Sequence, residues 1–451
     1  MSHDRRLNGG PPAGGTTSAT ALPQPPTRVL IVAGEASGDL YGGLLMRAMA
    51  GGDAGREGGA VPPVAPTAPA VRFIGAGGPS MRSAGLEPLA DASAMGGTGF
   101  WEVFGHLRVI WAAYRRACQA LDDPRRRPDL AILIDYPDFN LRLAARARRA
   151  GVPVLYFIGP QVWAWRRGRI RTIARYVDRM LVILPFEEAI YRQAGVPVEF
   201  VGHPLLDLVR ADRDREQTFK PLGLDPRRPT VALLPGSRGN EIESHLPPMI
   251  GAARLLKEEF TDLQFLIPLA PTLERSRVEA IVRQASEASR SQMRGGYAAG
   301  RPARPDPAPR PLIIEEGRYD ALAAADVAVV ASGTATVETA LLGVPMVIVY
   351  RVSGLTFRLA RMVSDVPHIG MVNLIAGERL VPELVQGDCR PDRIAAEVRR
   401  ILTEPRLAQS IRQGLAGVRE RLGRPGGIAR AAQAAWDMIG DRPHERAEIE
   451  R

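Results

Sequence analysis

A chain of 451 residues, at roughly 150 per domain, has room for two large domains or three of ordinary size. Apolar residues make up 45% and charged residues 24%, which excludes a wholly disordered, collagen-like or coiled-coil chain. The formal charge is +10, almost all of it arginine since Lys220 and Lys257 are the only lysines; it favours anionic partners without choosing among phosphorylated metabolites, nucleic acid and an acidic membrane surface.

Residues 1–27 are dominated by Gly, Pro, Thr and Ala, lack the apolar stretch of a secretory signal, and read as a disordered tail. The first strand is expected at 29–33, a short apolar run that stops at Gly34 as a buried parallel strand does. Similar runs recur at 71–74, 130–134, 154–158, 180–184 and 198–201, with helix-length stretches such as 40–49 and 140–150 between them. Strand alternating with helix predicts an α/β fold built on a doubly wound parallel sheet.

Residues 207–228 are charged, carry Pro221 and Pro226, and interrupt the pattern, which restarts at 231–234 and runs on through 263–267, 312–314, 327–330 and 344–349. Two Rossmann-like domains facing a cleft are therefore expected, at 28–206 and 229–390 with a linker between them. Helices follow over 391–440. Segments 51–70 and 286–311 read as mobile insertions, the second because its Arg-Pro-rich composition cannot pack a core. No window reaches the roughly 18 apolar residues of a spanning helix. Cys118 and Cys389 stand far apart without a Cys or His at ligand spacing, which argues against a disulfide scaffold or cysteine zinc site and fits a reducing compartment.

Two loops carry the chemistry. Pro235-Gly236-Ser237-Arg238 follows an apolar strand and opens a helix, a place where backbone N–H groups attract phosphate and Arg238 can grip it bidentately. A plain strand-to-helix turn is the competing account. Ser332-Gly333-Thr334 repeats the arrangement after 327–330, with Glu338 one turn inside the next helix, where it can accept from ribose hydroxyls. Two such loops in one domain predict a nucleotide-diphosphate pocket. The run 75–80, Gly-Ala-Gly-Gly-Pro-Ser, begins like a dinucleotide fingerprint but has Pro where the helix should open, so an oxidoreductase is disfavoured. No nucleic-acid signature accompanies the charge.

The motifs Gly34-Glu35-Ala36-Ser37-Gly38-Asp39, Ile134-Asp135-Tyr136-Pro137-Asp138-Phe139-Asn140, Pro160-Gln161-Val162-Trp163-Ala164-Trp165-Arg166, Phe200-Val201-Gly202-His203-Pro204 and Asn373-Leu374-Ile375-Ala376-Gly377, together with the two loops, resemble the lipid-A-disaccharide synthase family in their order. The likeness runs from about Arg28 to the end of the chain. Departures are Gly159 where Ser is usual, Val372 where Pro is usual, and about three extra residues near 95–102. The resemblance implies the two-domain GT-B glycosyltransferase fold and an inverting transfer that joins UDP-2,3-diacylglucosamine to 2,3-diacylglucosamine 1-phosphate through a β-1,6 bond, releasing UDP. It also implies acceptor or acyl contacts from Ser37, Gln161, Trp163 and Asn373, and no cofactor. The nearest competing reading is a UDP-N-acetylglucosamine epimerase or a GT-B enzyme with a polar acceptor. Helices after 391 commonly cross back to the first domain in this architecture; a homodimer is left open.

Such a transfer needs a base for the acceptor hydroxyl and a counter-charge for the departing diphosphate. Asp135, ending an apolar strand, is the leading base candidate, with Glu35 and His203 as alternatives; Asp138 suits a helix N-cap, and His203 suits hinge packing equally well. His106 and His245 lack ligand spacing and read as solvated. Arg238 with the helix starts at Gly236 and Gly333 is favoured for the leaving group in place of a metal, and the Asp-x-Asp at Asp212 and Asp214 is discounted because it sits in the charged linker.

Residues 100–114 place Phe100, Phe104, Leu107 and Trp111 at helical spacing beside Arg108, Arg115 and Arg116. This is either a core helix or one that lies in the acyl boundary of an anionic bilayer. Diacyl substrates favour the second, hence a cytoplasmic protein peripherally bound to the inner membrane. The arginines at 166, 167, 169, 171 and 175 read as a solvated face, with the acceptor's 1-phosphate as a second option.

Overall fold

The computed structural model describes residues 26–52, 70–89, 102–163, 168–294, 309–354, 357–358 and 367–441. The first sheet contains β1 (Thr27–Ala33), β2 (Val71–Ala76), β3 (Glu87–Pro88), β4 (Leu130–Ile134), β5 (Val154–Phe157), β6 (Arg179–Val182) and β7 (Val198–Phe200). Its order is β3-β2-β1-β4-β5-β6-β7, parallel throughout. The second contains β8 (Thr230–Leu234), β9 (Gln264–Pro268), β10 (Leu312–Ile314), β11 (Val327–Ala331), β12 (Met346–Tyr350) and β13 (Glu383–Val385), in the order β10-β9-β8-β11-β12-β13, also parallel. Both are doubly wound α/β sheets, as the alternating pattern predicts.

The central strands β1, β4, β8 and β11 read as unbroken apolar runs because helices cover both faces; Leu30, Ile132, Val231 and Val329 are all buried. Helix Pro137–Arg149 shows the local logic. Proline opens it, where its missing N–H costs nothing, Leu143, Ala144 and Ala147 form the buried stripe, and Arg146, Arg148 and Arg149 face the negative end of the dipole. In each sheet the strand order reverses between the first strand and its fourth-numbered neighbour, β1/β4 and β8/β11. Ligand crevices form outside the carboxyl ends of strands at such reversals. The loops that begin at Gly34, Asp135, Pro235 and Ser332 all leave from those four ends.

The last helices couple the halves. Pro391–Thr403 and Pro405–Arg421 pack on the second domain, whereas Gly427–Gly440 lies against helix Ala36–Met49 and β4 of the first. Arg430 ties that crossing down by donating from Nε and Nη2 to the Val201 carbonyl at 2.9 and 2.7 Å.

Three expectations need adjustment. The helix Arg275–Arg294 runs well into the segment expected to be a mobile insertion from 286; its remainder at 295–308, the tail at 1–25 and the segment 53–69 lie outside the described residues. Asp138 does not cap its helix: the N-cap is Tyr136, and Asp138 sits in the first turn, paired with Arg169 at 2.6 Å. Arg169 is thereby drawn in from the face where it was expected to be solvated, while Arg166 and Arg167 lie outside the described residues.

Candidate active site

Asp135 follows the fully buried strand β4, and its backbone is left-handed, φ 46°, as is that of Tyr136, φ 45°. Two consecutive side-chain-bearing residues in this region cost about 1–3 kcal/mol each and persist only when neighbours hold them. Asn140 is the holder: its buried Nδ2 donates to the Ile134 carbonyl at 3.1 Å and to the Asp135 carbonyl at 2.7 Å, and the Tyr156 hydroxyl donates to the same Asp135 carbonyl at 2.6 Å. The turn lays the Tyr136 ring over Gly34, where an added Cβ would stand 2.3 Å from the ring. The Asp135 carboxyl is raised to about 6, first by burial and then by the Glu35 carboxylate, with the Tyr136 amide and Arg238 opposing.

Glu35 reaches the other domain. Arg238 Nη2 donates to its Oε2 at 2.9 Å, so the loops after β1 and β8 meet across the cleft. Tyr41, one turn into the helix that follows Glu35, is buried, and Glu338 and Tyr319 of the second domain add to the burial that raises its hydroxyl. Glu338 itself accepts from the Tyr319 hydroxyl at 2.8 Å and has Arg318 Nη2 at 3.9 Å.

The Gly-rich loops are not equivalent. The amides of Ser237 and Arg238, expected to face a phosphate, donate instead to Glu241 Oε2 at 2.8 and 3.2 Å, and Arg238 Nη1 lies 3.5 Å from Glu241 Oε1. Gly236, φ 124°, is obligatory there because a Cβ would stand 2.5 Å from that carboxylate. The loop at 75–80 is treated likewise: buried Asp39 accepts from Gly78, Ser80 and Met81 amides at 2.7, 2.9 and 3.0 Å, which leaves no dinucleotide cradle. The turn at Gly333 differs. Helix Thr334–Leu341 starts there without a side-chain cap, and an added Cβ at Gly333 would meet nothing within 4 Å. Ser332 Oγ donates to the Ile369 carbonyl at 3.0 Å, and Thr334 is the first residue of the helix. The amides of the first loop are thus spent on Glu241, whereas the helix start at Gly333 has no side-chain cap.

Two residues change standing. His203 is buried, its Nδ1 accepts from the Leu205 amide at 3.2 Å, and burial pushes its pKa down to about 4. The neutral ring then has its proton on Nε2 and its one lone pair engaged, which removes it from the base candidates; its own amide donates to the Leu422 carbonyl at 2.9 Å, at the crossing between domains. Asn373 is fully buried, with Nδ2 donating to the Val381 carbonyl and Glu383 at 2.9 and 2.7 Å and Oδ1 accepting from the Val381 amide at 3.0 Å. Its amide is consumed inside the second domain, so it is no acceptor contact in this arrangement.

Among the other expected residues, Ser37 is half-buried in the first turn of helix Ala36–Met49 and Gln161 is exposed. Trp163 is half-buried, its Nε1 donating to Glu187 at 3.1 Å. Sequence reasoning missed Glu187, a buried carboxyl raised to about 7 by burial and, more weakly, by Asp135. It also missed Asp39, Asn140 and Glu241. For Glu241 a signal existed, since an acidic residue three positions after a helix-opening residue is the spacing of a capping box. His245, read as solvated, is buried. Asp212 pairs with Arg210 at 2.7 Å and Asp214 caps helix Arg215–Phe219 through the Gln217 amide at 2.8 Å, so both have structural duties in the linker.

In helix Glu102–Asp122 the two readings apply to different faces. Ala113, Ala117 and Leu121 are buried in the core, whereas Trp111 is 61% exposed with the Arg115 guanidinium 4.9 Å above its ring. Phe100 lies outside the described residues, and for Phe104 and Leu107 only the backbone is described. No helix among the described residues is long and apolar enough to cross a membrane.

Two parallel doubly wound domains with opposed switch points define the GT-B class, glycosyltransferases and related nucleotide-sugar enzymes. Solved structures of that shape align along most of the chain. They include S. aureus MnaA with UDP (TM-score 0.57, 10% identity, covering 92% of this chain and 99% of that one) and the calicheamicin glycosyltransferase CalG4 (TM-score 0.52, 14% identity, 92% and 99%). The family model described as Lipid-A-disaccharide synthetase matches residues 29–295 and 303–435. Lipid-A-disaccharide synthases of Syntrophus aciditrophicus and Geobacter sulfurreducens are 47% and 44% identical, over 91% and 92% of this chain and 97% of each relative. The chain belongs to the lipid-A-disaccharide synthase family and is a glycosyltransferase of lipid A biosynthesis acting on a UDP-sugar donor; neither an epimerase nor a polar-acceptor enzyme is favoured.

Proposed function

We propose that the protein transfers the sugar of UDP-2,3-diacylglucosamine to the 6-hydroxyl of 2,3-diacylglucosamine 1-phosphate with inversion. Asp135 takes the hydroxyl proton, the acceptor oxygen forms its bond to the anomeric carbon from the face opposite UDP, and the bond from that carbon to the diphosphate oxygen breaks. The charge that develops on the leaving diphosphate is met by the Arg238 guanidinium and the helix start at Gly333. Glu338, with Arg318 and Tyr319, stands where the nucleoside's ribose would lie, Glu35 faces both Asp135 and Arg238, and no metal or cofactor takes part.

The observation that carries the reading is that the desolvated carboxyl of one domain and the guanidinium of the other are brought to one cleft, joined through Glu35. Ser37, Gln161 and Trp163 remain the acceptor-side candidates. The outward Trp111, capped by Arg115, supports a helix that rests in an anionic bilayer, from which both acylated substrates are drawn. Product analysis with the two acylated sugars, wild type against Asp135→Ala and Arg238→Ala, tests it; unimpaired disaccharide formation by either variant refutes the assignment of that residue. Turnover that vanishes with chelator and returns with Mg²⁺ refutes the metal-free step.

A further inference from the structure

His245 links two strand ends of the second domain. It lies in helix Gly239–Glu259, is 2% exposed, and its Nδ1 stands 3.1 Å from the Pro235 carbonyl after β8. Its Nε2 accepts from the Arg351 amide, just past β12, at 2.9 Å. A carbonyl at Nδ1 and an amide at Nε2 leave one consistent form, the neutral ring with its proton on Nδ1. Strands β8 and β12 both pair with β11 and so flank it, roughly 10 Å apart. The imidazole therefore spans the carboxyl end of β11, from which Ser332 and Gly333 depart.

We infer that His245 is a positioning residue for donor binding, a strut that sets the separation of the loops after β8 and β12 and thereby places Arg238 relative to the helix start at Gly333. The inference rests on reading Arg238 and Gly333 as the diphosphate site. Glu241, one turn earlier on the same helix face, holds the Ser237 and Arg238 amides within their own loop, whereas His245 joins that loop to the end of β12. The ring is flanked by Tyr350, ring centroids 6.5 Å apart, and the charged groups that bear on it are Glu241 and Arg351.

The test is calorimetric titration of UDP into the full-length protein and its variants, with donor and acceptor KM measured alongside. In His245→Asn the amide nitrogen stands near the place of Nδ1–H and keeps the bond to Pro235; in His245→Gln the amide oxygen extends towards the place of Nε2 and keeps the bond from Arg351. Each is expected to weaken UDP binding and raise donor KM about five- to tenfold, the effect of one hydrogen bond, with acceptor KM unchanged. In the wild type, UDP is expected to slow hydrogen exchange at the Arg351 amide, a readout that needs no variant. UDP binding unchanged in both His245 variants while Arg238→Ala weakens it overturns the strut and leaves the site standing, as does an Arg351 amide indifferent to UDP. Unchanged UDP binding by Arg238→Ala removes the site reading and the strut with it.

Discussion

The Arg238 guanidinium bridges Glu35 of the opposite domain, at 2.9 Å, and Glu241 of its own, at 3.5 Å. Both pairs are partly solvated, so each contributes at most about 1 kcal/mol to stability. A cation held this loosely can exchange its carboxylates for a diphosphate at little cost. Arg238→Ala is therefore expected to melt within about 2 °C of wild type while kcat/KM falls by about 10²–10³, and Arg238→Lys to recover little of it because a point charge cannot reproduce the planar fork. Steady-state kinetics beside thermal denaturation checks both halves, and a large loss of stability would point to a scaffold role instead.

The Asp135 carboxyl titrates near 6 in the fold against 3.8 for an unperturbed side chain. As a base it must be ionised, so kcat/KM is expected to fall with unit slope below about pH 6. The stability sign runs the other way. A raised acid pKa contributes stability that is complete below about 3.8 and is lost as the pH rises through about 6, a cost on the order of 2–3 kcal/mol at pH 8. Asp135→Asn should thus lose roughly 10²–10⁴ in turnover yet melt higher than wild type at pH 8, an advantage that disappears towards pH 4. Equal melting temperatures at pH 8 would contradict the desolvated carboxylate.

Asn140 touches neither reacting group yet holds the strained turn that aims one of them. Asn140→Ala should cost about 1–3 kcal/mol and reduce kcat, because Asp135 and Tyr136 are then free to leave the left-handed region. Asn140→Asp should be worse, since it sets a carboxylate oxygen against the Ile134 and Asp135 carbonyls. Melting curves that rank the aspartate variant above the alanine variant would overturn this account.

Trp111 projects from a helix whose other face is anchored in the core, so its replacement should not disturb the fold. Flotation with anionic vesicles is expected to show wild type bound at low salt and released as salt rises, with Trp111→Glu largely unbound in both conditions. Flotation of the variant at wild-type levels would locate the membrane contact elsewhere.

Most of the architecture was legible because its signals are local. The apolar runs that end at Ala33, Ile134, Leu234 and Ala331 announce buried parallel strands, and the residues just after them mark where a ligand crevice forms. Arg238 and Asp135 could be chosen on the same grounds. What was not legible depended on partners outside the local motif. His245 has no ligand spacing, yet it is buried because an amide 106 positions later completes its hydrogen bonding. Asn373 sits in a recognisable motif, but its partners Val381 and Glu383, 8 and 10 positions on, take both of its Nδ2 protons only because the chain folds back there.

By itself the sequence determined which strand ends carry glycine turns, which titratable groups stand beside them, and the family to which that order belongs, since periodicity and motif are written within a few consecutive residues. Only the tertiary structure decided which backbone donors remain for a ligand. Asp39 fills the loop at 78–81 from 39 to 42 positions away, Glu241 fills its own loop, and Arg238 meets Glu35 across 203 residues. An amide spent on an internal carboxylate cannot bind phosphate; the Glu241 contact has a capping-box spacing, but the Asp39 and Glu35 contacts are settled by distances in space that chain spacing does not encode.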